Sequence, residues 1–365
     1  MGECDYMRKT IAFHIPSLVG GGAERVICNL ANHFAEEGYR VSMITSEMED
    51  HQYYQLDEHV TRVVLPKPTG NRILKIFRRL GILRKAIRDS EAPVVVSFIG
   101  MANLRAILAT RFMKTKVIVS VRSAPGREYK GKEKLAKFLF RFAEGAVFQT
   151  GMARDYFPGT VRRKSTILMN PLLGDFSRAR YEGQREKEIV TVGRLHPVKN
   201  HEMLIRAFAR FHQDYPDYVL RIYGDGENRT KLEELIQELA CGESVFLEGN
   251  CDAVADAIWK ASLFVLTSNT EGMPNALLEA MALGLPCIST DCPCGGPAAL
   301  IRDGENGLLI PVGDEDALVD AMERILSEKD FAEKLGRSAE QAKEQYAPEK
   351  IYQMWEDYIT EVADR

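Results

Sequence analysis

Two doubly wound α/β domains are the fold predicted by this sequence, and three observations carry the prediction. Short β-branched runs alternate with helical periodicity from the start, the alternation breaks off near residues 170 to 187, and it then resumes. Before the break come TIAFHI, RVSMIT, TRVVL, PVVVSF, KVIVSV and GAVFQT; after it come EIVTVGRL, YVLRIYG, SVFLEG, ASLFVLTS, LPCIST and GLLIP. These runs are continuously apolar, as in strands of a parallel sheet covered on both faces by helices. The break itself, NPLLGDFSRARYEGQREKE, holds proline, glycines and charges but little strand signal, so the first domain is set at 1–175 and the second begins at 176. Two such lobes are expected to face a cleft, with ligands beyond the carboxyl ends of the strands.

Composition narrows the function classes. The chain is 45% apolar and 27% charged, as for a soluble globular protein, and no apolar run approaches the roughly 20 residues that cross a bilayer. The opening MGECDYMRK lacks the apolar core of a signal peptide, so the cytoplasm is the expected compartment. Seven cysteines in no regular framework fit reduced thiols, and Cys292 and Cys294 have no second pair at zinc spacing, so no metal site is expected. Charge is divided unevenly. Residues 1–170 hold 28 Lys+Arg against 16 Asp+Glu, a net +12, and the remainder holds 20 against 36, a net −16. A basic half suits phosphate-bearing partners: lipid head groups, nucleic acid or a diphosphate-linked substrate. Nucleic acid is disfavoured, because that half holds no recognisable recognition module.

Glycine turns and polar residues at strand ends locate the candidate chemistry. SLVGGGAERV follows TIAFHI and opens a helix from about Ala23; Gly20, Gly21 and Gly22 let the backbone approach an anion at the helix start, or serve only tight packing. Arg25 stands where G-x-G-x-x-G needs its last glycine and no G-K-[ST] follows, which demotes nicotinamide enzymes and P-loop nucleotidases. A basic stretch, NRILKIFRRLGILRKAIRDS, comes next. Its apolar Ile73, Leu74, Ile76, Phe77, Leu80, Leu83 and Ile87 are interspersed with Arg72, Lys75, Arg78, Arg79, Arg84, Lys85 and Arg88. Three readings stand: a helix on anionic lipid, a grip on an acceptor diphosphate, or a core-facing helix with a solvated face. GREYKGKEKLAKF adds lysines and favours the membrane.

In the second domain, VGRLHPVKN places Arg194 and Lys199 just after a strand, where a folded-back loop points both cations at one anion. TEGMPNALLEAMALGLP carries Glu271 and Glu279 around a helix start at Pro274, with the amides of Asn275, Ala276 and Leu277 at the positive end of its dipole. Were both acids helical they would stand about 12 Å apart. Carboxylates that jointly hydrolyse a glycosidic bond stand roughly 5 to 9.5 Å apart. The interval therefore points to two separate hydrogen-bonding tasks on one long ligand, against the plainer reading of a helix-terminal charge and a solvated glutamate.

GRLHPVKN, EGMPNALLEAMALGLPCIST and DGENGLLIPVGD, in this order and spacing, resemble the motifs of retaining glycosyltransferases of family 4 with the GT-B fold, and the resemblance covers nearly the whole chain. It implies that Arg194 and Lys199 bind a donor diphosphate, that Glu279 binds ribose hydroxyls, and that Glu271 contacts the transferred sugar. Gly272, Met273, Pro274, Asn275, Ala276 and Leu277 would supply contacts to sugar and phosphate. Gly21 and Gly22 would approach the donor phosphates, Glu24 would lie near the acceptor, and Asn250 and Cys251 would lie near the nucleobase. Many members carry a histidine where VIVSVRSAP has Arg122; with FHIPSLVGGGAERV, that arginine is similar to N-acetylhexosamine transferases acting on polyprenyl-diphosphate-linked glycans. The implied acceptor-side residues are Glu24, Arg122, Arg78 and Arg79.

The implied activity is retaining transfer of an N-acetylhexosamine, such as N-acetylgalactosamine, from a UDP-sugar to such a glycan, by front-face attack and without a metal. A peripheral place on the cytoplasmic face of the membrane follows. Residues 176–347 become the nucleotide-sugar domain, and 348–365, with APEKIYQMWEDY, resembles the terminal helix that crosses back onto the first. The competing readings are another GT-B reaction, such as UDP-sugar epimerisation or phosphorolysis, and a non-catalytic nucleotide-sugar-binding module.

Overall fold

The computed structural model describes residues 9–46, 54–176 and 178–365; most of the opening MGECDYMRK, Cys4 included, lies outside them. The chain divides into two compact units, Met1–Pro171 with Glu349–Arg365, and Leu172–Pro348.

In the first unit the apolar runs become strands β1 (Thr10–Ile15), β2 (Arg40–Thr45), β3 (Val60–Val64), β4 (Val94–Phe98), β5 (Lys116–Ser120), β6 (Gly145–Phe148) and β7 (Ser165–Ile167). They form one parallel sheet in the order β3-β2-β1-β4-β5-β6-β7. β7 has no counterpart among the sequence-predicted runs: it is three half-buried residues, too short to leave a period. β1 and β4 are buried throughout, as expected of strands covered on both faces.

Helix Gly22–Glu36 buries Val26, Ile27, Leu30, Ala31 and Phe34 along one stripe. The basic segment is helical over Arg72–Asp89, started by Asn71, whose Oδ1 accepts from Leu74 N at 2.9 Å. Only its second half meets the unit's core, through Leu83, Ala86 and Ile87; Ile73, Leu74, Ile76 and Phe77 are exposed. The reading of a core-facing helix with a solvated face thus describes its second half and not its first. Helix Pro348–Asp364 completes this unit: Trp355 is fully buried with its ring stacked 5.8 Å from Phe98, Tyr352 stacks on His33 at 4.4 Å, and Tyr358 Oη donates to Lys164 O at 2.6 Å.

The second unit holds β8 (Glu186–Val192), β9 (Val219–Tyr223), β10 (Val245–Gly249), β11 (Ala261–Leu266), β12 (Cys287–Thr290) and β13 (Leu308–Ile310). Their parallel order is β10-β9-β8-β11-β12-β13. One core joins Ile189, Leu220, Leu263 and Ile288 of the sheet to Phe208 and Met322 on the helices His201–Asp214 and Glu315–Ser327.

In each unit the strand order reverses once, between β1 and β4 and between β8 and β11. At such a switch point the loops leaving adjacent strands diverge to opposite faces and open a crevice at their carboxyl ends. Gly20 to Gly22 follow β1; Arg194 and Lys199 follow β8, and Glu271 follows β11. Chain topology thus accounts for the placing of these motifs.

Candidate functional site

Backbone hydrogen bonds stitch the loops after β8 and β11 together. Asn269 N donates to Val198 O at 2.8 Å, and the Thr267 hydroxyl reaches the carbonyls of Lys199 (3.1 Å) and Asn200 (3.0 Å). A one-turn 3-10 helix, Pro197–Lys199, ends on Asn200 in the left-handed conformation, φ 51°, and helix His201–Asp214 starts there. That tight reversal folds the Lys199 stem back over Gly193, so a Cβ on Gly193 would meet Lys199 Cε at 3.4 Å.

Lys199 Nζ then donates to Glu271 Oε1 at 2.6 Å, with both side chains largely buried. The Ser268 hydroxyl donates to the same oxygen, also at 2.6 Å. Two donors on Oε1 fix the carboxylate's rotation and leave its other oxygen out of both contacts. A partly buried, doubly bonded ion pair of this kind costs more to break than to form, so its geometry is fixed before any ligand arrives. Arg194, at the mouth of the same loop, is exposed.

The helix after Glu271 runs Asn275–Ala282, with Pro274 as its N-cap rather than inside its first turn. Glu271 lies ahead of that helix, so the helical interval of about 12 Å does not separate it from Glu279. Glu279 is buried within the helix, and Gly272 and Met273 form the turn between. The helix's first backbone bond runs from Leu278 N to Pro274 O, which leaves the amides of Ala276 and Leu277 in the first turn, at the positive end of its dipole.

Two supports of this site escaped the sequence reading. Tyr223 and Asp225 accept from Gly193 N (2.9 Å) and Leu195 N (3.0 Å), pinning the β8 loop to the loop after β9. Gly224, at φ 133°, lies so close to the Gly193 carbonyl that a side chain has no room. Gly224 N bonds Gly249 O at 2.6 Å, which brings Asn250 and Cys251 beside the same edge. The second support is the segment Cys292–Gly296: Glu271 N donates to Pro293 O at 2.8 Å and Cys294 N to Glu271 O at 3.0 Å, so both sides of the Glu271 backbone are held. Burial, then the Glu271 charge, pushes the Cys292 thiol up to about 12, and the six cysteines of the described residues are free thiols.

His201 opens the helix behind the pair and is buried. Burial, reinforced by Lys199, lowers its pKa to about 4 from 6.5. The unfolded chain therefore takes up a proton below pH 6.5 that the folded unit refuses until about 4, and stability falls as pH drops through that window. The loss is at most about 3 kcal/mol, at 1.36 kcal/mol per unit. Urea titrations at intervals from pH 7 to 4 are expected to show it, with a shallower fall in His201→Gln.

In the first unit, Gly21 is the N-cap of helix Gly22–Glu36, and the Glu24 carboxylate folds back over it. Arg122 is buried: its guanidinium bonds Asn170 Oδ1, lies 5.1 Å over the Phe98 ring, and has its pKa brought down by burial to about 9. Sequence reasoning placed Arg122 at the acceptor; in this unit its cation faces inward, tied to neighbouring side chains. Beside it Glu128, unnoticed in the sequence, accepts from Gly100 N (2.6 Å), Ser123 N (3.2 Å), Ser123 Oγ (3.0 Å) and Arg122 N (3.3 Å), bracing the loops after β4 and β5. Arg78 donates to Thr69 at the start of the basic helix. Arg79 lies near enough to Arg105 to lower that guanidinium's pKa, after burial, and Arg105 in turn helps hold buried His14 at about 3.

Comparison with known proteins adds to this geometry. Residues 175–342 match the model of Glycosyl transferases group 1, and residues 20–160 match Glycosyltransferase Family 4. A Campylobacter jejuni enzyme named GalNAc-alpha-(1->4)-GalNAc-alpha-(1->3)-diNAcBac-PP-undecaprenol alpha-1,4-N-acetyl-D-galactosaminyltransferase is 30% identical over 96% of this chain and 98% of its own length. A second C. jejuni protein, N-acetylgalactosamine-N,N'-diacetylbacillosaminyl-diphospho-undecaprenol 4-alpha-N-acetylgalactosaminyltransferase, is 28% identical over 87% of this chain and 90% of its own. Among solved structures, a sucrose-phosphate synthase from Thermosynechococcus elongatus superimposes with a TM-score of 0.82 at 20% identity, covering 97% of this chain and 99% of that one. Anabaena HepE in complex with UDP gives 0.80 at 16%, covering 96% and 100%.

Proposed function

The chain belongs to the family 4, group 1 glycosyltransferases, and on that premise we propose that it moves an N-acetylhexosamine, such as N-acetylgalactosamine, from a UDP-sugar to a polyprenyl-diphosphate-linked glycan, with retention of anomeric configuration. The observation that carries the donor half is the constellation after β8 and β11: Lys199 held against Glu271, the start of helix Asn275–Ala282, and Arg194 exposed at the loop mouth. Departure of a nucleoside diphosphate builds negative charge on the leaving oxygen. Cations and a helix end already in place stabilise that charge more than they stabilise the ground state, with little reorganisation at the moment of reaction. Glu271, its rotation fixed by Lys199 and Ser268, presents its second oxygen to hydroxyls of the transferred sugar, and Glu279 takes the ribose.

Cations in that position do the work of a divalent ion, so turnover is expected to persist after exhaustive chelation; a substantial loss of activity, restored by added Mg²⁺ or Mn²⁺, would show otherwise. For the acceptor, the reading is supported by the C. jejuni relatives and by the cations of Arg72–Asp89 with Arg105, which suit a diphosphate at an anionic membrane surface. Mass spectrometry of products from a panel of UDP-sugars and a polyprenyl-diphosphate-linked acceptor tests the whole. One added N-acetylhexosamine per turnover is expected, with the α-anomer seen by NMR. Interconversion of free UDP-sugars, or binding without turnover, would overturn it.

A further inference from the structure

Helix Gly100–Thr110 ends in a turn closed by Met113 N donating to Thr110 O at 2.9 Å, and the third residue of that turn, Phe112, has φ 61°. That backbone region belongs to glycine or asparagine, and a bulky residue there is an outlier. Phe112 is also 94% exposed, so its ring gains nothing from the unit's own core. Neither backbone preference nor burial explains a phenylalanine here. The turn is nonetheless held firmly: Arg84 Nη1, from the neighbouring helix, donates to the carbonyls of Ala109 and Arg111 at 2.7 Å each.

The ring is not isolated. Arg111 lies between Phe112 and Phe142, 5.2 and 4.8 Å from their centroids, and Phe142 meets Phe138 edge-on at 5.3 Å. Phe138 is 53% exposed, and Leu135, three residues earlier on helix Glu133–Leu139 and so on the same face, is 47% exposed. The result is a ridge of apolar side chains in which the Arg111 guanidinium is inserted between Phe112 and Phe142. Its surroundings are strongly basic: residues 111–142 contain ten Lys+Arg and two Asp+Glu (Glu128, Glu133), and apart from inward-facing Arg122 and Lys116, which donates to Ala363 O, eight of those cations (Arg111, Lys114, Arg127, Lys130, Lys132, Lys134, Lys137, Arg141) are exposed or half-buried.

We infer that this ridge is a membrane anchor, in which Phe112, Phe138 and Leu135 enter the boundary of an anionic bilayer while the surrounding lysines and arginines meet its head groups. Exposed aromatic rings set in a field of cations match the two attractions such a surface offers, apolar burial at the acyl boundary and Coulomb attraction to the leaflet. The inference rests on the proposed lipid-linked acceptor, and it adds to the basic helix a second point of contact.

Phe112→Gly is the decisive variant, because glycine accepts φ 61° without strain and should fold at least as stably. The wild type is expected to co-float with phosphatidylglycerol-containing vesicles at low salt and to bind pure phosphatidylcholine more weakly. Phe112→Gly is expected to partition roughly tenfold less, from the lost burial of one aromatic side chain, at an unchanged or higher melting temperature. Equal binding by both proteins, no flotation of the wild type, or a ridge-dependent dimer with vesicle binding unaltered would overturn the anchor. Transfer to a detergent-solubilised acceptor, run alongside, separates the two ideas: the variant should match the wild type there, and a wild type inactive in that assay would refute the proposed reaction whatever the vesicles show.

Discussion

Arg194→Ala is expected to lower kcat roughly 100- to 1000-fold, the range seen when one preorganised group at a developing charge is removed. Its effect on folding should stay within about 0.5 kcal/mol, because the side chain is exposed at a loop mouth. Lys199 makes a poorer test of the same idea. Truncating it strands Glu271, partly buried beside the Ser268 hydroxyl, so a loss of activity would mix chemistry with a disturbed site. Arg194→Lys should recover part of the rate, since a point charge survives and the two-pronged grip on phosphate oxygens does not. Steady-state kinetics with saturating UDP-sugar, beside thermal melts, separates the two effects. Unchanged turnover in Arg194→Ala would remove this residue from the leaving-group site.

How far the sequence reveals this site depends on how far each interaction reaches along the chain. Strands β1, β4, β5, β8 and β11 were legible because burial on both faces requires continuous apolar runs, and their carboxyl ends marked where Gly21, Arg194 and Glu271 would fall. The pairing of Lys199 with Glu271 spans 72 residues and leaves no local pattern, so two groups read as separate contacts on a ligand turn out to touch each other. Gly224 and the segment Cys292–Gly296 escaped for the same reason: their task is to lie flat against the carbonyls and amides of Gly193 and Glu271, and no side-chain chemistry advertises it. For the basic helix, composition was plain, but which of its apolar residues the core would cover was not. Its period continues unbroken from Ile73 to Ile87, whereas the fold covers only the last part. Arg122 was legible as a cation at a strand end, but its neighbours Phe98 and Asn170, 24 and 48 residues away, leave no trace in its own motif.

Gly296→Ala carries the second large effect, and it bears on whether the Glu271 loop must be rigid. A Cβ on Gly296 would lie inside 3.0 Å of the Gly272 carbonyl oxygen and 3.1 Å from Pro274 Cδ. The neighbour on the near side is backbone, which no rotamer change relieves, so the peptide next to Glu271 must shift by something like an ångström. Overpacking of this kind costs about 1–3 kcal/mol of stability. A displacement of that size in a positioning loop lowers turnover by roughly 100-fold. Both bonds that hold the Glu271 backbone come from the same segment, Pro293 O and Cys294 N, so the shift passes directly to the carboxylate. Gly313→Ala is the matched control: it too adds one methyl group to a glycine of the second unit, at a loop position where a Cβ meets nothing within 4 Å, and its φ of 79° makes it strained, so it is expected to lose stability while keeping its turnover per folded molecule. If Gly296→Ala instead kept wild-type kcat at a similar loss of stability, the loop would tolerate displacement, and the rigidity assigned to Glu271 would have no part in the reaction.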